Sequence, residues 1–109
     1  MNKRIEINFA DLGMPVFTGR PRGEAARARL ALDTVGPNDD VLVRIPDGVY
    51  TITSSYFLGL FAPSVKLLGG REGFLKVFKF DGPAFILNKL DDWIERALRD
   101  QSDIFGVSQ

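Results

Sequence analysis

Short strand-type runs alternate with helix-type segments along the chain, and this alternation constrains the fold more than any other feature. Ile5, Ile7 and Phe9 alternate with polar residues, which is the period of a strand with one buried face. Residues 41–45 (VLVRI) are almost all apolar and β-branched, so we predict a central strand there. Residues 75–80 (LKVFKF) predict a third strand.

Helix-type composition fills the intervals between these runs. Ala, Leu and Arg predominate from Glu24, and the Gly-Pro pair at 36–37 should end this first helix. Ala28, Leu32 and Val35 would share its apolar face, with Arg27 outside that face.

Two further helices are predicted in the second half of the chain. One begins at Ser54, and Pro63 within it predicts a kink or a break near residue 62. The other spans about residues 84–99 and should pack on the sheet through its apolar residues Leu90, Trp93 and Ile94.

The order of these elements, βαβαβα, predicts a single α/β domain with a mixed sheet of which part is parallel. We assign residues 1–100 to this domain and residues 101–109 to a C-terminal tail, because the tail carries little pattern.

Composition narrows the function classes. The 109 residues include 14 basic and 14 acidic side chains, and this zero net charge argues against a protein that binds duplex nucleic acid. Histidine and cysteine are absent, which excludes Ser–His–Asp catalysis, disulfides and metal sites built from those residues. We therefore expect a non-enzymatic protein without cofactor or metal. The lack of disulfides and of a long apolar run favours a cytoplasmic protein that is not in a membrane.

Hydroxyl side chains at the start of the second helix form the first candidate site. Thr53, Ser54 and Ser55 lie between a strand-like run and the helix, where a hydroxyl can cap free backbone amides. A phosphate on one of them would meet the positive end of the helix dipole, or would repel a docked partner. Helix capping and a phosphorylation switch both fit this pattern.

Arginines before and within the first helix form the second candidate site. Arg20, Arg22, Arg27 and Arg29 are opposed only by Glu24. Such a cluster is typical of a site that binds a small anion, of a surface that binds an acidic protein partner, or of a solvated helix face. The segment lacks the Lys-Ser/Thr ending of a P-loop, so it does not predict nucleotide hydrolysis. The paired carboxylates at 39–40 and 91–92 are interpreted as solvated surface.

The segment ITSSYFLGLF after VLVRIPDGVYT, together with TGRPRGEAARARL upstream, resembles the bacterial STAS-like domain family of unknown function. That family is related to STAS-type anti-sigma-factor antagonists, and the resemblance covers about residues 15–99. In the antagonists this segment reads Asp-Ser-Ser-Gly, and the serine before the glycine is phosphorylated. Ser55 takes that place and Ser54 precedes it, while Thr53 and Tyr56 replace the Asp and the Gly.

The resemblance implies a regulatory module that binds a protein partner, either a histidine-kinase-type ATPase or an anti-sigma factor. It implies partner contacts at Thr53, Tyr56 and Phe57, the last two exposed, with help from the nearby arginines Arg20, Arg22 and Arg27. A homodimer could use the same exposed surface or an edge strand. The alternative is a small-molecule or nucleotide sensor that uses the arginine cluster as its anion site.

Overall fold

The computed structural model describes residues 3–13 and 15–99. The predicted tail over 101–109 lies outside the described residues. Five strands occur in the described part: β1 (Arg4–Asn8), β2 (Val16–Phe17), β3 (Asp40–Arg44), β4 (Thr51–Ile52) and β5 (Phe78–Asp81). Five α-helices accompany them: α1 (Arg20–Arg29), α2 (Ser54–Leu67), α3 (Arg71–Val77), α4 (Ala84–Leu87) and α5 (Leu90–Arg99). The α/β class is as predicted.

Three of the strands form a sheet in the order β1-β3-β5, with β3 in the centre as expected for the apolar run at 41–45. Ile5 pairs with Val41, and Val41 pairs in turn with Phe78. A separate two-stranded ladder joins β2 to β4. Every described strand pair is parallel, so the prediction of a mixed sheet is wrong. The short strand β2 was not predicted from the sequence. Strand β4 lies in the strand-like run before Thr53.

One face of the three-stranded sheet is buried and the other carries charges. Ile7 and Val43 are buried on the covered face. On the open face, Arg44 pairs with Glu6 at 2.7 Å and Lys79 pairs with Asp40 at 3.0 Å. The helices therefore cover a single side of the sheet, and charged side chains keep the other side hydrated.

The core is built around aromatic rings of α2, α3 and β5. Phe61 lies at its centre, with ring centroids 5.7 Å from Phe74 and 5.5 Å from Phe78. Trp93 of α5 is buried 5.1 Å from Phe57. The final helix thus packs mainly on α2, which corrects the prediction that it packs on the sheet.

Helix boundaries differ from the predicted ones at both ends of α1. The helix begins at Arg20, because Gly19 serves as its N-cap and Pro21 is tolerated within the first turn. It ends at Arg29, and Ala31 adopts a left-handed conformation before a 3-10 turn at Leu32–Thr34. Ala28, predicted on the apolar face, is exposed.

Two predictions in the second half of the chain are also wrong in detail, and of the kink or break predicted near residue 62 the break does not occur. Residues 75–77 are helical, since Phe74 and Val77 are both buried and their spacing is that of a helix. The helix α2 continues without a break through Pro63, which is exposed between buried neighbours. The predicted helix over 84–99 is divided at Asn88 and Lys89.

Candidate functional site

The N-termini of α1 and α2 lie side by side, because each helix follows one strand of the two-stranded ladder. Phe17 of β2 pairs with Ile52 of β4. Thr53, the N-cap of α2, donates its backbone N–H to the carbonyl oxygen of Phe17 at 2.9 Å. Gly19, the N-cap of α1, comes two residues after Phe17. The ladder therefore fixes both helix starts at one end of the domain.

Two glycines hold the same helices in backbone contact. A Cβ atom added at Gly23 would overlap the carbonyl oxygen of Tyr56, and one added at Gly59 would overlap that of Arg20. Both glycines are in ordinary helical segments, so it is the close approach that requires them. The two helices are consequently in backbone contact close to their N-termini.

The three hydroxyl groups at the start of α2 differ in their hydrogen-bond partners and in their exposure. The side chain of Thr53 caps the helix, and its Oγ1 accepts a hydrogen bond from the N–H of Tyr56 at 3.3 Å. Ser55 is exposed, and its Oγ lies 3.3 Å from Thr53 Oγ1. Ser54 is half-buried and accepts a 3.4 Å hydrogen bond from Arg96 of α5. Thr53 is therefore the capping residue, and Ser55 is an exposed neighbour whose hydroxyl is hydrogen-bonded to the Thr53 hydroxyl.

Tyr56 and Phe57 are buried, which corrects the prediction that they are exposed. Each side chain is only 2% exposed. The Tyr56 ring packs on Phe17 at 5.3 Å between centroids, whereas the Phe57 ring packs on Trp93. Since α1 and α5 both pack on α2, only a narrow stripe of the first helical turn faces solvent.

The four arginines around α1 divide into two pairs. Arg20 and Arg27 are seven residues apart, and so are Arg22 and Arg29. Seven residues is close to two helical turns, so the members of each pair share a face. The arginine cluster predicted from the sequence is therefore two sites on different sides of one helix.

The first pair, Arg20 and Arg27, forms ion pairs and hydrogen bonds within the protein. Arg27 is only 7% exposed, although the sequence placed it outside the apolar face. Its guanidinium lies 2.8 Å from a carboxylate oxygen of Asp33 and donates 2.9 Å hydrogen bonds to the carbonyl oxygen of Leu60 and to the hydroxyl of Ser64. Arg20 approaches Glu24 at 3.9 Å. Both side chains line a cavity of about 240 Å³ between α1 and α2. Arg27 is nearly buried there and bonded within the fold, so Arg20 is the more accessible of the two to a partner.

The second pair lines a different cavity, of about 200 Å³, with Tyr56. Arg29 donates a 3.1 Å hydrogen bond to the main-chain carbonyl of Asp11. Burial raises the pKa of the Tyr56 phenol above its ordinary value, and the positive charges of Arg22 and Arg29 oppose that rise. The phenol is therefore neutral near pH 7 and lies close to both guanidinium groups.

Three of the four paired carboxylates, Asp40, Asp91 and Asp92, lie in ion pairs on the surface, whereas the side chain of Asp39 is only 7% exposed, which corrects the prediction that it is solvated. Asp91 contacts Arg71 at 2.8 Å, and Asp92 contacts Arg96 at 3.3 Å. Asp39 accepts hydrogen bonds from the N–H groups of Gly36 and Lys3, at 2.8 and 2.9 Å, and these bonds lower its pKa. Among residues 3–13 and 15–99, no three metal-ligating side chains are grouped closely enough to hold an ion.

Comparison of the chain with protein-family models, with curated proteins and with solved structures gives no match. No helix in the described part of the chain is long and apolar enough to cross a bilayer.

Sequence reasoning identified the hydroxyl segment and the arginines but missed their closest contacts. Gly59 carried no visible signal, because its partner Gly23 lies in another helix. Arg96 carries no signal either, because its contact with Ser54 depends on how α5 packs on α2. The seven-residue spacing of the arginines was a usable signal, since it separates the two pairs before any contact is known.

Proposed function

We propose that this chain is a non-enzymatic regulatory module of the STAS-like type that binds a protein partner beside Ser55. Phosphorylation of Ser55 would release that partner. The observation that carries this proposal is the exposure of Ser55 in the first turn of α2 while Thr53 supplies the helix cap. A modified Ser55 therefore leaves the capping hydrogen bond intact.

Electrostatics favours a phosphate at this position. The first turn of α2 contains no acidic residue, so nothing there repels an added negative charge. The free backbone amides of a helix N-terminus stabilise such a charge. Arg96, which already contacts the hydroxyl of neighbouring Ser54, supplies a cation close by, although it is also paired with Asp92. The fold should accept the phosphate.

A partner would contact the exposed stripe of α2 and the adjoining side of α1. Ser55 and Leu58 are three residues apart and lie on one helix face. Leu58 also lines the cavity beside Arg20. This surface replaces the rings of Tyr56 and Phe57 as the proposed contact, and Arg20 replaces the buried Arg27. A phosphate on Ser55 would have to be desolvated against a docked partner, which is unfavourable.

The partner proposed by resemblance is a histidine-kinase-type ATPase or an anti-sigma factor, in the bacterial cytoplasm. The experiment is affinity capture of the partner on the wild-type chain, followed by affinity measurements with Ser55→Asp and Ser55→Ala. We expect Ser55→Asp to weaken binding more than tenfold, and Ser55→Ala to bind as the wild type does.

Asn38→Asp is the matched control, since it adds one charge at an exposed site after the far end of α1. It should bind normally. Equal affinity of Ser55→Asp and wild type would show that the interface is elsewhere. Unfolding of Ser55→Asp would show that the site cannot accept charge and would end the switch proposal.

A further inference from the structure

The cavity between α1 and the 3-10 turn at Phe9–Leu12 combines two cations with an apolar floor. Arg22 and Arg29 line it together with Tyr56. The remaining described lining residues are small or apolar: Leu12, Ala25 and Ala26. Such a combination of a few convergent polar groups with an apolar wall is typical of small-molecule sites.

The two guanidinium groups lack internal compensation. Within the described residues, neither Arg22 nor Arg29 forms an ion pair, whereas Arg20 and Arg27 of the same helix approach Glu24 and Asp33. Arg29 is instead oriented by the main-chain carbonyl of Asp11. Two positive charges that share a cavity without a carboxylate favour an anionic ligand.

The chemistry of the lining selects the kind of anion. A phosphate monoester carries between one and two negative charges at neutral pH and so matches two guanidinium groups better than one carboxylate does. Guanidinium groups bind phosphate oxygens through paired hydrogen bonds. The neutral phenol of Tyr56 can donate a further hydrogen bond.

We propose that this cavity binds a small phosphate monoester, with Arg22 and Arg29 holding the phosphate and the apolar floor holding a short carbon chain. The volume indicates how much of a ligand the cavity holds. About 200 Å³ is less than the roughly 300–1,000 Å³ of pockets that enclose drug-sized ligands, so the cavity holds a phosphate and a short carbon chain, and the rest of a whole nucleotide would lie outside it. This site is separate from Ser55, and its ligand does not require the protein partner.

The test is calorimetric titration of the full chain with sn-glycerol 3-phosphate at low salt, with glycerol and AMP as comparison probes. We expect saturable binding of the phosphate ester and none of glycerol. Arg22→Ala and Arg29→Ala should each weaken binding at least about tenfold, because each removes a charge-assisted contact. Arg20→Ala, on the other face of α1, should bind within about twofold of wild type.

A second readout reports on the site directly. The chain has two tyrosines, so Tyr50→Phe leaves Tyr56 as the only one. Bound phosphate would offset the positive charges of Arg22 and Arg29, and the pKa of Tyr56 in an absorbance titration should therefore rise further.

Three results would overturn the proposal. They are no saturable binding of the ester to a folded wild type, unchanged binding by both arginine variants, and tighter binding of AMP than of the small ester. None of these results bears on the partner affinity of Ser55 variants, so the two proposals can fail separately.

Discussion

Gly23 of α1 and Gly59 of α2 lie against each other's helix, and the two backbones touch where the helices cross. A Cβ at Gly23 would come within 2.9 Å of the Leu60 nitrogen, and one at Gly59 within 2.9 Å of the Glu24 nitrogen. Backbone atoms cannot move aside as a flexible side chain can. The relative position of the two helix N-termini, and hence of Ser55, depends on this contact.

Replacement of Gly59 by alanine should therefore destabilise the protein by about 3 kcal/mol or more, at the upper end of the cost of overpacking. Urea denaturation measures the free energy of unfolding. Gly36→Ala is the matched control, because a Cβ there meets no atom within 4 Å. If both variants had the same stability, the helices would not be in backbone contact.

The buried guanidinium of Arg27 gives a second prediction. Arg27→Met should cost about 1–3 kcal/mol of stability, because the acceptors on Leu60 and Ser64 lose their donor inside the protein. Arg29→Met, an exposed change in the same helix, should stay within about 0.5 kcal/mol of wild type. Equal effects in thermal unfolding would show that Arg27 is not buried.

Trp93 anchors α5 on α2 through its contact with Phe57. Trp93→Ala should destabilise the protein by about 3–5 kcal/mol, as expected for a large aromatic side chain removed from a core. Leu98→Ala on the exposed side of the same helix is the comparison and should cost less than about 1 kcal/mol. A loss below about 1 kcal/mol for the Trp93 variant would contradict this packing.

Asp39 predicts a pH dependence of stability. Its backbone hydrogen bonds lower its pKa in the folded state, so its contribution is complete above the ordinary aspartate pKa and is lost as pH falls through the lowered value. Asp39→Asn should melt below wild type at neutral pH, and the difference should shrink in acid. Asp47→Asn, at an exposed loop position, should show no such trend. A constant difference across pH would contradict the assignment.

The strands at 41–45 and near Ile7 could be predicted because their signals, an apolar β-branched run and an alternation of apolar and polar residues, are local. Strand β2 could not, since two residues carry no period. Strand β4 lies in the strand-like run before Thr53, but its pairing with β2 joins distant parts of the chain and could not be predicted. The burial of Arg27 escaped prediction for a related reason. Its acceptors belong to α2, so only the assembled helix pair makes an inward-facing arginine favourable.

The sequence predicts which residues form the candidate site, but not which of their side chains are exposed. The position of Ser55 at a helix start follows from the sequence alone. The burial of Tyr56 does not, because it depends on how closely α1 approaches α2, which two separate glycines decide. A tyrosine that follows two serines is predicted to be exposed, and only the close approach of the two helices shows that it is buried.

The central claim is that Ser55 is the phosphorylated switch, and phosphopeptide mapping tests it most directly. The chain would be incubated with its captured partner and with ATP, digested, and analysed by mass spectrometry. We predict phosphate on Ser55, none on the Ser55→Ala variant, and release of the partner as phosphate accumulates. Phosphate on another residue, or none on a chain that still binds the partner, would contradict the account.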